Sequence, residues 1–195
     1  MRATPRIELP YPGRSLYTDG QREVYQDADT GALMISDLAG KDKRPIFKST
    51  AGDRVVSYLP SRDLSIAAVV LFGPDRSVKA ATIKTDGTAY REIGIPIGQI
   101  ATGNWSWDNR YLYVWGSQPD GTHQLLRVSV TDGEIRKLLA TDNEVHRPSP
   151  DGRFIASASS STSGNIFVMP SQGGEPQVAS DNARLIDWTR DGAIS

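Results

Sequence analysis

The sequence predicts an all-β protein, a β-propeller of four-stranded antiparallel blades whose ring is incomplete or open. Three observations predict it. A turn centred on an aspartate recurs along the chain, a second series of turns keeps step with it, and the segments between are short, apolar and without helical period. The first series is plainest where RPSPDGRFIASASS (147–160) repeats the phrase of NWSWDNRYLYVWGS (104–117). Its members are YTDG (17–20), SRDL (61–64), SWDN (106–109), SPDG (149–152) and TRDG (189–192). The anchors Asp19, Asp63, Asp108, Asp151 and Asp191 stand 44, 45, 43 and 40 residues apart. Four-stranded propeller blades have a period of about 40–45 residues.

The second series comprises AGK (39–41), TDGT (85–88), TDGE (131–134) and QGGE (172–175). Between the two lie the strands. Each Asp turn is followed by an apolar or aromatic run: VYQ (24–26), SIAAVVLF (65–72), RYLYVWG (110–116) and RFIASA (153–158). Each second turn is preceded by another: ALMISDL (32–38), KAATIKT (79–85), LLRVSV (125–130) and NIFVM (165–169). They are rich in β-branched and aromatic residues and bounded by Gly, Asp, Asn and Ser. No stretch keeps apolar residues at i, i+3, i+4 and i+7, so helices are not expected. The resulting blades are 15–52, 53–99, 100–142 and 143–182, with a partial blade at 183–195. RIEL (6–9) reads as the outer strand of a further blade, and the fifth unit stops at Ser195 inside its second strand. The expectation is therefore a fragment or an open arc, whose unpaired strand edges invite self-association, with a closed four- or five-bladed ring, in which RIEL supplies the outer strand of the last blade, as the rival.

The turn residues have mechanical reasons. Pro150 presets φ near −65° at the first central position of a type I turn, Asp151 takes the second, and Gly152 adopts the left-handed conformation that launches the next strand. Asn109 tolerates positive φ and substitutes for that glycine. Leu64 does so only at a cost, so a different turn is expected in the second unit. The five aspartates are read as structural acceptors for nearby backbone N–H groups.

These residues resemble the TolB-type, WD-like β-propeller repeat. That pattern has an innermost strand ending in Trp or Pro, then S-P-D-G, an apolar second strand, a third strand of the I-y-v-m kind, and a closing G-G-E-P. The fourth unit follows it through Pro148-Ser149-Pro150-Asp151-Gly152, Ile166-Phe167-Val168-Met169 and Gly173-Gly174-Glu175-Pro176. Trp105 and Trp188 hold the Trp/Pro position in the third and fifth units. Glu23 departs from it, standing where the pattern places an apolar residue. The resemblance implies blades, not a reaction. Propellers of this kind occur in periplasmic components of the Tol system, as non-catalytic gating domains of prolyl-oligopeptidase-like and tricorn-like proteases, and as sensor halves of regulators. Binding through loops is what these uses share.

Composition narrows the partners. A formal net charge of −1 argues against nucleic acid or an anionic membrane surface. The absence of cysteine removes disulfides and thiolate chemistry. The longest apolar run, SIAAVVLF, has the length of a buried strand and not of a membrane span. The opening MRATPRIELPYPGRS lacks an apolar core and does not read as a signal peptide. A soluble protein is expected, cytosolic as the chain stands or periplasmic if it follows the family.

Catalytic and cofactor patterns are missing. Neither histidine, His123 or His146, lies in a zinc motif, and no metal or cofactor is expected. ASASSSTSG (156–164) has hydroxyls without a nucleophile elbow. His123 is read as a solvated loop residue, and His146 as facing the channel. The candidate binding residues are Trp107, Asn109, His146 and Arg147, and the candidate face comprises the turns at Thr18–Gly20, Ser61–Leu64, Ser106–Asn109 and Ser149–Gly152, with Trp107 exposed because it replaces the turn proline. The function expected is a non-catalytic scaffold for a protein or peptide. The alternative is a regulatory propeller of a larger serine hydrolase whose catalytic domain is not in this chain.

Overall fold

The structure, a computed structural model, describes residues 13–49, 53–75, 77–96, 98–159, 164–185 and 187–194. RIEL (6–9) lies outside the described residues, as do residues 160–163 of the serine-rich loop. The fold falls into two compact units. The first runs to Asp75 and takes in Ala81–Glu92; the second takes in Arg76–Ala80 and runs on from Ile93.

Alternating turns and apolar runs make each sheet a meander, in which chain order equals sheet order. The first sheet consists of β1 (Gly13–Thr18), β2 (Arg22–Asp27), β3 (Leu33–Asp37) and β4 (Arg44–Phe47). The second comprises β5 (Arg54–Pro60), β6 (Ile66–Phe72), β7 (Val78–Lys84) and β8 (Arg91–Ile93). Val24, Leu33, Ile35 and Ile46 of the first sheet join Tyr58, Val69, Leu71 and Ile83 of the second in one buried cluster. β6 is buried over five consecutive residues. A strand covered on both faces needs no polar alternation, which is why IAAVVLF is a run.

In the second unit, β9 (Gln99–Trp105), β10 (Tyr111–Ser117), β11 (His123–Ser129) and β12 (Ile135–Ala140) form the third sheet. The fourth is β13 (Val145–Pro148), β14 (Phe154–Ala158), β15 (Gly164–Pro170) and β16 (Gln177–Ala183). Ile155 and Met169 on one face of the fourth sheet pack with Tyr113, Trp115, Leu125 and Leu138 of the third. The opposite face, Ala156, Ala158 and Ile166, packs with Leu185, Trp188 and Ile194. Trp188 and Ile194 pair as an isolated antiparallel bridge around the last Asp turn. No helix occurs among the described residues.

Both turn series are where the repeat places them. The Asp turns join first and second strands. Gly40, Gly87, Gly133 and Gly173, all at positive φ, close the turns between third and fourth. One expectation fails. Leu64 does not force a different turn: it takes the left-handed conformation itself, at φ 53°, as Asn109 does at φ 56°. Its side chain is wholly buried, at 0% exposure. Thr85 Oγ1 donates to its carbonyl at 2.6 Å. Left-handed backbone costs a non-glycine residue roughly 1–2 kcal/mol, while burying a leucine returns about 1.5–3 kcal/mol. Glu23 does not break the first sheet either: it is 4% exposed and pairs in regular register with Thr18 and Ser36.

Candidate functional site

The Asp turns define one end of each sheet, and their geometry is repeated closely. In the second, third and fourth units, the serine two residues before each anchor donates its hydroxyl to the aspartate. The distances are 2.8 Å for Ser61–Asp63, 2.6 Å for Ser106–Asp108 and 2.7 Å for Ser149–Asp151. The same serine oxygen accepts the N–H five residues on, from Ile66, Tyr111 and Phe154. Each aspartate also accepts the N–H two residues on, from Ser65, Arg110 and Arg153. The Ser149 hydroxyl, the Arg153 N–H and the Arg153 side chain together hold the Asp151 carboxyl down, to about 2. In the fifth turn Thr189 plays the serine's part toward Asp191. The first turn lacks the hydroxyl because Tyr17 occupies its place. Asp19 accepts instead from the N–H groups of Gln21 and Arg22 and pairs with the Arg22 guanidinium. The carboxylates at this end are thus engaged within their own turns.

The four residues predicted as a binding surface are divided between this end and the innermost strand β13. Trp107 is half-buried, and its indole N–H donates to Pro148 O at 3.1 Å. Trp188 donates to the preceding carbonyl, Arg147 O, at 2.6 Å. Asn109 occupies its left-handed position with Oδ1 buried and without a hydrogen-bond partner. Arg147 is half-buried and reaches the His146 carbonyl. His146 is 2% exposed, and neither ring nitrogen makes a hydrogen bond. Burial pushes its pKa down to about 4, against a smaller opposing pull from the Asn143 backbone. It is a neutral imidazole inside the second unit, not a residue presented to a ligand on the surface.

The other end carries the second-to-third-strand loops and the connector from β12 to β13. Here His123, at the start of β11, keeps 36% of its side chain exposed and is also engaged by neighbours. Its ring stacks on Trp115 with centroids 4.8 Å apart, and its Nδ1 lies 2.9 Å from Asp142 Oδ1. Trp115 Nε1–H donates to Thr141 O at 2.9 Å, which ties the connector to β10. The Asp142 side chain is 95% exposed. Beside this group a recess of about 270 Å³ is lined by Leu139, Ala140, Thr141, Asn143, Phe167 and Pro176. Sequence reading missed the group because Trp115, His123 and Asp142 share no motif; only the strand register brings Trp115 opposite Leu125, next to the start of β11. Among the described residues no group of three or more His, Cys, Asp or Glu is placed to hold a metal ion. Among the described residues there is no helix long and apolar enough to cross a membrane.

No family model and no curated protein matches the chain. Solved structures do. TolB from Acinetobacter baumannii aligns at TM-score 0.60 with 14% identity, over 83% of this chain and 41% of that one. A puromycin-hydrolyzing peptidase from Mycobacterium tuberculosis aligns at 0.64 with 17% identity, over 89% of this chain and 33% of that one. The β-propeller domain of the Trilobed protease from Pyrococcus furiosus aligns at 0.61 with 12% identity, over 91% and 60%. Each of these proteins is longer, and the chain spans less than two thirds of it. At such identities the likeness is one of fold. The four antiparallel four-stranded sheets are those of a β-propeller, shared with TolB and with propeller domains of proteases.

Proposed function

We propose that this propeller segment is a non-catalytic scaffold that binds a protein or peptide at the connector end of its second unit. The observation that carries the reading is the contrast between the two ends. The Asp turns spend their carboxylates on their own backbone, whereas the connector end sets an exposed carboxylate, a stacked Trp–His pair and an open recess side by side. Binding sites favour loops held by a rigid scaffold and concave surfaces with a few polar groups.

The test is a titration of peptides selected from a random display library on the immobilised protein. Saturable binding that weakens at least tenfold in Asn143→Arg, which fills the recess, and persists in Trp107→Phe would support the assignment. Absence of saturable binding would sink it, and loss in Trp107→Phe alone would move the surface to the Asp-turn end. A solution mass read beside it tells whether strand edges pair with a second copy.

A second reading is favoured by the peptidase neighbours, of which this chain spans 33% and, for a prolyl endopeptidase, 31%. On that reading the segment gates or positions substrate for a hydrolase domain elsewhere in the same polypeptide. Sequencing the reading frame on both sides for a G-x-S-x-G segment decides it.

A further inference from the structure

On the fourth sheet, register aligns His146 of β13 with Ser157 of β14, and Ser157 with Phe167 of β15. Ile155 and Met169, two residues along their strands, lie in the cluster shared with the third sheet, so this row faces the third sheet as well. His146 is 2% exposed and Ser157 1%. His146 Nδ1, His146 Nε2 and Ser157 Oγ are all buried without a partner in hydrogen-bond geometry, the Asn143 backbone near the imidazole not meeting it. Phe167, next in the row, stands on the wall of the recess.

We propose that His146 and Ser157 form an internal hydration site, in which ordered water between the third and fourth sheets bridges the imidazole to the serine hydroxyl. Three polar atoms stripped of water with nothing in exchange would each forfeit the desolvation of the group, and native interiors rarely leave such atoms unpaired. Directly opposed residues on antiparallel strands have Cβ atoms about 4.5–5.5 Å apart. The two side chains are therefore neighbours, yet they make no direct hydrogen bond. A single water can bridge polar atoms of such neighbouring side chains through two hydrogen bonds of about 2.8 Å each. The chemistry also selects the occupant. A neutral imidazole offers one donor and one acceptor, and a serine hydroxyl offers both, so the partner must donate and accept without charge. No carboxylate completes a cation site among the described residues.

The experiment combines a high-resolution crystal structure with a double-mutant cycle in urea on the full chain, using His146→Leu and Ser157→Ala. The expected result is density within hydrogen-bonding distance of an imidazole nitrogen and Ser157 Oγ. Each single variant then lowers the folding constant several-fold, and the double variant loses little more than one single variant does. Empty density, an imidazole bonded directly to a protein group, or a Ser157→Ala variant that folds as well as the parent would overturn the proposal. Should His146→Leu fail to fold, the parent's density and Ser157→Ala decide the matter by themselves.

Discussion

At the scale of single residues, the recurrent turn is a small hydrogen-bond device with interchangeable parts, and Leu64 and Asn109 show what is interchangeable. Both hold the left-handed position, but for different reasons: Asn109 tolerates that backbone, whereas Leu64 is kept there by burial. Leu64→Gly should therefore destabilise by about 1–3 kcal/mol, since the relief of backbone strain is smaller than the loss of a buried side chain. Asn109→Gly should stay within a few tenths of a kcal/mol or gain slightly, because its buried Oδ1 has no partner to lose. Urea midpoints for the two variants check this, and a stabilised Leu64→Gly would show that the turn, not the core, chose the residue. The serine of the device is testable in the same way. Ser149 is buried, donates to Asp151 and accepts from Phe154 N–H. Ser149→Ala strands that N–H and should cost about 1–3 kcal/mol, whereas Thr18→Ala, in the turn without the serine, should cost less.

At the scale of elements, β13 shows how an innermost strand is held. Three successive carbonyls accept side-chain donors: His146 O from Asn104, Pro148 O from Trp107 and Arg147 O from Trp188. The donors come from either side of the strand in sequence, 41 or 42 residues away. Trp188, at the repeat position, is thus both a packing residue and an indole N–H aimed at β13, and Trp107 in the turn supplies a second such donor. Trp107→Phe keeps an aromatic six-membered ring, deletes the donor and trims the indole, so it should cost about 1 kcal/mol or somewhat more. The loss should appear as faster amide exchange along β13, with β10 and β11 unchanged; equal acceleration in all three would mean the tie is not local. How much of this was legible follows from distance along the chain. Turns and strands are decided within about ten residues, so the Asp and Gly series placed the meanders correctly. What sits on top of a strand is decided a blade away. Thr85 rescues the Leu64 carbonyl from 21 residues off. Likewise, His146 is enclosed where the third sheet meets the face bearing Ile155 and Met169, and a lone His before RPS gives no sign of it. Trp115, His123 and Asp142 meet for the same reason of register.

At the scale of the whole molecule, these local arrangements set the order in which acid should act. A buried imidazole and a set of hydroxyl-bonded carboxylates respond to pH in separate windows. His146 ordinarily titrates at 6.5 and is held at about 4 in the folded state. Between those values the unfolded chain binds the proton and the folded chain does not, so stability is complete above pH 6.5 and falls as pH drops to 4. The shift corresponds to about 3 kcal/mol. Hydroxyl donors hold Asp27, Asp86, Asp120, Asp151 and Asp191 below the usual carboxylate range. For these the folded form binds protons less readily, so their contribution is present above about pH 4 and disappears only as pH falls further, toward about 2 for Asp151. Unfolding free energies measured by circular dichroism in urea, from pH 8 to pH 3, should therefore decline in two steps. His146→Leu should remove the upper step and leave the lower one. A parent protein equally stable at pH 7 and pH 4 would contradict the buried neutral histidine. A variant that kept the upper step would assign it to a group other than His146.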